Sequence, residues 1–335
     1  IPVADEDFIF AAISEEMGLI FALGDENSYF VDGETGYDAY IEELNGEFTG
    51  VGVKIAETEE GCFVTSVVKG SPAEEKGLMA GDIIIGVDGE DVTGLGITGI
   101  SNKVRGEAGT EVSITVKRNE ESLTLKLMRA KIIETTIDTK KYDDVAYIKI
   151  NEFTPNTDGE FKDALEEMKD CSGAVIDLRN NGGGLLEASI NMLDMIIKEG
   201  NFITTKDRRS EFTYEASGKQ IFTKPIVVLV NEYSASASEF FAAAVKENDR
   251  GTIVGVTTYG KGSIQRSYHL PGNKGVHLTI GRFYSPKGNE IEKVGVTPDV
   301  EVQNSEKYEL YDVSAIPFEE DFQLKKALEI MKNKK

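Results

Sequence analysis

The stretch Ile226-Val227-Val228-Leu229-Val230-Asn231-Glu232-Tyr233-Ser234-Ala235-Ser236-Ala237-Ser238-Glu239 joins five apolar residues to an Ala-rich helical pattern that runs from Phe240 to Val245. An apolar strand, a tight polar turn and a helix start can hold a hydroxyl at a helix amino terminus. Unpaired backbone N–H groups there can stabilise an oxyanion. Downstream, Tyr259-Gly260-Lys261-Gly262-Ser263-Ile264-Gln265 sets a lone lysine between glycines. Together the two stretches suggest a serine nucleophile with a lysine base.

Taken singly, each stretch has a plainer explanation. Ser236-Ala237-Ser238-Glu239 fits an S-x-x-E capping box, which accounts for the serine and the glutamate without catalysis. Ser234 and Ser238 compete with Ser236, so the local string does not choose the nucleophile. The usual base is histidine, and the chain has only His269 and His277, each inside an alternating β pattern with no nearby Asp to complete a triad. Lysine can replace it if burial brings its pKa down from about 10.4 towards neutrality. The plainer reading of Lys261 is a solvated loop side chain.

Outward from these stretches the pattern alternates. Gly173 to Arg179 reads as a buried strand, Gly182-Gly183-Gly184 as a loop and Leu185 to Ile197 as a helix. Val145 to Ile150 reads as a half-buried strand and Glu160 to Lys169 as a helix. Thr252 to Val256, Ser263 to Leu270 and Val276 to Phe283 read as strands, and Asp321 to Lys332 as a last amphipathic helix. Such alternation implies an α/β core. Three glycines at a helix start can turn backbone N–H groups towards an anion. Gly255 to Lys261 matches the first seven positions of a P-loop, but Gly262 stands where Ser or Thr is required and a strand follows where a helix should. The match is taken as chance.

The chain has 335 residues, 40% hydrophobic, and a formal net charge of −23. That length allows two or three domains. The charge argues against nucleic acid as a partner, since phosphate binding needs clustered cations. Cys62 and Cys171 lie far apart and outside any C-x-x-C pair, so two buried thiols are expected rather than a metal or redox motif. No apolar run is long enough to span a bilayer. The chain begins Ile1-Pro2-Val3-Ala4 without a signal-peptide pattern, which suggests an upstream segment removed by processing or design.

Residues 1–47 read as a small helical, acidic region, from Phe8 to Ile13, Met17 to Ile20 and Gly33 to Leu44. From Phe48 short strands alternate with glycine turns. Gly50-Val51-Gly52-Val53, Ser71-Pro72-Ala73, Gly77-Leu78, Gly81 to Ile84, Val104-Arg105-Gly106 and Gly109-Thr110 follow in the order of a PDZ domain of the bacterial type, which residues 48–131 resemble. The resemblance implies that Gly50, Val51, Gly52 and Val53 take a terminal carboxylate, with Ile100 and Val104 lining the side-chain pocket.

With the PDZ block, Ser234 to Glu239, Gly260 to Gln265 and Gly295-Val296-Thr297-Pro298-Asp299, the chain resembles the carboxyl-terminal processing, or tail-specific, proteases. The resemblance covers most of the chain. It implies a Ser–Lys peptidase core of ClpP/crotonase type over 132–305, an inserted PDZ domain and a carboxyl-terminal segment over 306–335. By position Ser236 becomes the nucleophile, Lys261 the general base and Gln265 the side chain that orients its amine. The N–H groups of Gly183 and Ala237 become the oxyanion hole. The family's Asn-Pro-Gly-Gly stands here as Asn181-Gly182-Gly183-Gly184, and Gly182 in place of proline loosens the turn. The implied substrate is a protein or peptide with an apolar carboxyl terminus, and no cofactor or metal is called for. An extracytoplasmic location, a membrane anchor upstream and a homodimer are compatible with the family. The competing class is an inactive PDZ adaptor on a peptidase-like core, and a nucleotide-dependent enzyme is a third.

Overall fold

The computed structural model describes residues 25–31, 36–37, 40–41, 46–58, 61–119, 121–133, 135–308 and 311–333. In chain order a short strand β1 (Tyr29–Val31) and β2 (Glu47–Gly50) precede a region of short strands. That region comprises β3 (Val53–Thr58), β4 (Gly61–Val67), α1 (Pro72–Glu75), β5 (Ile83–Val87), β6 (Glu90–Asp91), α2 (Gly96–Val104), β7 (Glu111–Arg118) and β8 (Glu121–Met128). The strands form one sheet in the order β3-β4-β5-β7-β8, with β6 paired to β5. Its core is separate and aliphatic, from Val51, Val64 and Ile84 to Ile100, Ile114 and Leu127. Pro72 starts α1 behind the Ser71 cap, whose Oγ accepts the Glu74 N–H, as the Ser-Pro pair predicts.

After β9 (Ala130–Ile133), which pairs with β2, come β10 (Ile137–Tyr142), β11 (Val145–Ile150), α3 (Thr157–Glu167), β12 (Gly173–Asp177) and α4 (Leu186–Ile196). A hairpin of β13 (Asn201–Asp207) and β14 (Glu211–Glu215) leads to β15 (Ile226–Val230), α5 (Ala237–Glu247) and β16 (Gly251–Gly255). Then follow β17 (Ser263–Leu270), β18 (Lys274–Tyr284), β19 (Val300–Glu301) and α6 (Phe322–Asn333). The larger sheet has the order β10-β11-β12-β15-β16-β19, and every pair in it from β11 to β19 is parallel. β12 and β15 are buried at every residue, as continuous apolar runs in a covered parallel sheet should be.

Strand alternation divides the side chains between two faces. Ile148, Ile176, Val228 and Ile253 pack with α3, α4 and α5, while Val145, Val175, Val227 and Val254 pack against α6. The helix α5 carries Phe240, Phe241 and four alanines, all buried, and reads as largely apolar because it is enclosed.

The expected strands and helices between Val145 and Lys332 are present with ends shifted by a few residues. The hairpin of β13 and β14 was not expected, because its short polar strands carry little apolar period. The helical reading of residues 1–47 needs correction. Tyr29–Val31 is a strand, drawn out by antiparallel pairing with β18, where Tyr29 faces His277. Gly36, Tyr37, Tyr40 and Ile41 are helical, within the expected second helix. The stretches Phe8 to Ile13 and Met17 to Ile20 lie outside the described residues. Cys62 and Cys171 are buried free thiols in different cores.

Candidate active site and adjoining groove

Three loops leave the carboxyl edge of adjacent parallel strands. The turn after β12 carries Asn180 to Gly184, the turn after β15 carries Asn231 to Ser236, and the loop after β16 carries Thr257 to Gly262. In open α/β sheets this edge is where sites are built. The three loops meet around one cavity of about 970 Å³, which Ser236, Lys261, Gln265 and Gly182 to Gly184 all line.

The structure separates the three serines. Ser234 is buried, accepts the Asn231 N–H (2.9 Å) and donates to the Leu178 carbonyl (2.8 Å). Ser238 is buried and donates to the Asn181 carbonyl at 2.9 Å. Both therefore knit the turn together. Ser236 differs: its hydroxyl donates to no group among the described residues, and the Glu239 N–H goes to the Ser236 backbone carbonyl at 2.9 Å. Its backbone sits at φ 54°, ψ −113°, a conformation that costs a non-glycine residue about 1–3 kcal/mol. Such strain persists where the surroundings over-determine it, and it turns the side chain out of the helix cap towards the cavity.

Glu239 does much of that determining. It is buried, and its Oε2 accepts the N–H groups of Ser236 (2.8 Å) and Lys261 (2.7 Å). Its Oε1 accepts Gly260 N–H and Thr258 Oγ, each at 2.6 Å. One carboxylate thus clamps the Ser236 turn to the Lys261 loop. Burial pushes its pKa up while the four donors oppose the shift. The capping-box pattern marked this residue in the sequence, but its bonds to a loop some twenty residues away had no local signal.

Lys261 is half-buried, and burial lowers its pKa against the opposing charges of Glu292 and Glu239. Its amine has no hydrogen bond or ion pair among the described residues, and none joins it to Ser236. Gly260 and Gly262 on either side press against the backbone of Lys293 and Glu292, where any added Cβ would collide or crowd. Gln265 Nε2 donates to Ser263 Oγ at 2.8 Å and to Thr279 Oγ1 at 3.4 Å, so its amide is fixed by its own sheet rather than by Lys261.

Gly183 lies against the Ser236 turn. A Cβ there would come within 2.8 Å of Ser236 Cβ and 3.1 Å of Ala237 N. Its N–H, however, donates to Asn181 Oδ1 at 2.8 Å. The Ala237 N–H, first in α5, has no acceptor among the described residues.

His277 also lines the cavity, which its strand pattern did not reveal. Its Nδ1 is within 2.8 Å of Tyr40 Oη and 2.9 Å of Ser267 Oγ, and Tyr29 packs on its ring. Burial, and secondarily the Lys261 charge, push its pKa down. Behind the glycine loop Arg179 is fully buried. It donates to Asp177 at 2.6 Å and to Asp321, before α6, at 2.7 Å. Burial would raise the Asp177 pKa, yet the guanidinium holds it below the usual range.

A second groove, between β3 and α2, is built differently. Gly50, Val51, Gly52, Val53, Ile100 and Val104 line a single groove of about 300 Å³ between β3 and α2. Gly52 has φ 85°, and an added Cβ would run into the Ser71 side chain, so glycine is required. Lys54 and Glu152 line both this groove and the larger cavity, so the two adjoin.

The profile of peptidase family S41 matches residues 144–302, and that of a PDZ domain matches residues 63–118. A carboxy-terminal-processing protease of Bartonella bacilliformis is 32% identical over 92% of this chain and 73% of its own length. A "Probable CtpA-like serine protease" of Staphylococcus aureus is 35% identical over 88% of this chain, which spans 60% of that protein. The solved structure of a photosystem II D1 C-terminal processing protease, 32% identical, superposes with a TM-score of 0.62 over 86% of this chain and 80% of its own. The chain belongs to peptidase family S41, among the carboxy-terminal-processing serine proteases.

Proposed function

We propose that the protein is an endopeptidase that cuts peptide bonds with Ser236 and Lys261 and selects substrates by their carboxyl termini. The observation that carries the reading is the shared clamp. Of the three serines only Ser236 has a hydroxyl not committed to the turn, and Glu239 ties its backbone to that of a desolvated Lys261. The two side chains line one cavity without a bond between them, and bound substrate brings them into contact.

In this mechanism neutral Lys261 takes the proton of Ser236, whose oxygen attacks the scissile carbonyl. The N–H groups of Gly183 and Ala237 stabilise the tetrahedral oxyanion, each worth roughly 3 kcal/mol in comparable sites. Lys261 returns the proton to the leaving amine, and water releases the acyl group from Ser236. Gln265 steadies the amine of Lys261 in the substrate complex. The carboxyl terminus of an apolar tail lies on Gly50 to Val53, with its last side chain between Ile100 and Val104. Residues 48–131 act as the tail-binding domain and 132–305 as a ClpP/crotonase-type core. The extracytoplasmic setting and the dimer implied by the family belong to the same proposal.

Ser236→Ala and Lys261→Ala should each lower kcat on a denatured protein with an apolar tail by on the order of 10⁴-fold or more. Binding of a tail peptide should be unchanged. Full cleavage by either variant would overturn the dyad, and tail binding without cleavage by the wild type would return the protein to the adaptor class.

A further inference from the structure

We propose that the Asn181 side chain is a latch on the oxyanion hole, holding the Gly183 N–H until the tetrahedral oxyanion displaces it. The proposal rests on the Ser236 reading above. A backbone amide carries one proton, and that of Gly183 is spent on Asn181 Oδ1 at 2.8 Å. The Ala237 N–H beside it has no acceptor among the described residues. The hole at rest therefore has one donor open and one closed.

The latch is fixed at its base and loose at its tip. Asn181 is buried, and its Nδ2 donates to the Ile150 carbonyl at 2.9 Å. Its own carbonyl accepts Ala235 N–H (3.0 Å) and Ser238 Oγ (2.9 Å), which ties it to the nucleophile turn. Asn181 therefore stays put while the peptide between Gly182 and Gly183 turns. Gly182 is exposed, and nothing lies within 4 Å of a Cβ placed on it. No side chain resists that rotation. A neutral amide oxygen is a weaker acceptor than an oxyanion, since charge-assisted bonds are about twice as strong. The exchange is thus about even for a ground-state carbonyl, one neutral amide oxygen for another, and favourable for the tetrahedral state. That difference between states is what accelerates the chemical step. Asn181 acts through Gly183 and is a positioning residue.

The test uses a peptide boronate that forms a tetrahedral adduct on Ser236, measured against the KM of the matching peptide substrate. In Asn181→Ala no bond has to be given up, so the boronate should bind about fivefold tighter, the worth of one neutral hydrogen bond, with KM little changed. Asn181→Asp keeps an acceptor and adds a charge facing the oxyanion, so boronate affinity and kcat should both fall. A merely structural role predicts weaker binding in both variants, and that result would overturn the latch. A structure of the wild-type adduct does not depend on either variant folding. It should place Gly183 N about 3 Å from a boronate oxygen and beyond about 3.5 Å from Asn181 Oδ1. An adduct with Gly183 still bonded to Asn181 would sink the latch alone. A boronate that ignores Ser236, binding Ser236→Ala equally well, would sink the parent reading as well.

Discussion

The groove between β3 and α2 and the cavity around Ser236 and Lys261 adjoin, yet they are held in different ways. The groove consists of one glycine-rich strand entry and one helix with a largely aliphatic lining, all from residues 46–105 except Glu152. The cavity gathers three loops that are far apart in sequence, and buried polar groups fasten them: Glu239 between the Ser236 and Lys261 loops, Asn181 between the glycine loop and the nucleophile turn, and Arg179 between Asp177 and Asp321. A groove proposed to pair with a backbone and an apolar side chain needs only local shape. A site that holds a strained serine and a half-buried lysine on separate loops of one cavity needs preorganised polar groups, and buried polar groups are costly unless each is matched.

The largest test of this contrast is Glu239→Ala. It leaves four donors without their acceptor, two of them on the residues proposed as nucleophile and base. The expected cost is about 3 kcal/mol or more in the stability of the peptidase core, with kcat down at least about a hundredfold. The melting of the PDZ region, followed separately by hydrogen exchange, should be unmoved, and so should tail-peptide affinity. Equal losses in both regions would show that the groove depends on the catalytic clamp, contrary to the comparison.

Legibility in the sequence follows the same division. All six groove residues came from the PDZ resemblance, whose motifs are local, and they line one groove; of these, Gly52 also answers to a backbone rule through its positive φ. The strands Gly173–Asp177 and Ile226–Val230 were readable because a covered parallel strand is apolar throughout. Ser236 was readable only as one of three serines. What separates it from Ser234 and Ser238 is where their hydroxyls donate, and the acceptors are Leu178 and Asn181, more than fifty residues upstream. The double use of Glu239, the bond from Gly183 to Asn181 and the place of His277 in the cavity wall are likewise products of tertiary packing. The strand at Tyr29–Val31 was misread as helix because pairing with β18 outweighs a short stretch's own preference.

A smaller effect should follow from Gly52→Ala. At φ 85° with Ser71 in the way, the loop must shift, at a cost of about 1–3 kcal/mol, or roughly a five- to hundredfold loss in tail-peptide affinity. The KM of a tailed protein substrate should rise. The kcat on a short peptide that does not reach the groove should stay as it is. If that kcat fell too, the adjoining walls at Lys54 and Glu152 would be transmitting the loop's position into the cavity.

The smallest effect sharpens the comparison by its sign. Burial lowers the Lys261 pKa, so between the folded value and the ordinary lysine value of about 10.4 the unfolded chain binds more protons than the folded one. Stability then rises with pH across that window, and below it the full penalty for burying the charge remains. Lys261→Met removes the group that titrates and keeps most of its apolar stem. The variant should be inactive and slightly more resistant to thermal unfolding than the wild type near neutral pH, with the gap closing as pH approaches 10. Wild-type activity should follow the same proton, rising with pH through a midpoint below that of a free lysine and far above a carboxylate. A Lys261→Met enzyme less stable than the wild type at every pH would mean that the amine is satisfied where it sits. In that case the cavity would be no more strained than the groove beside it.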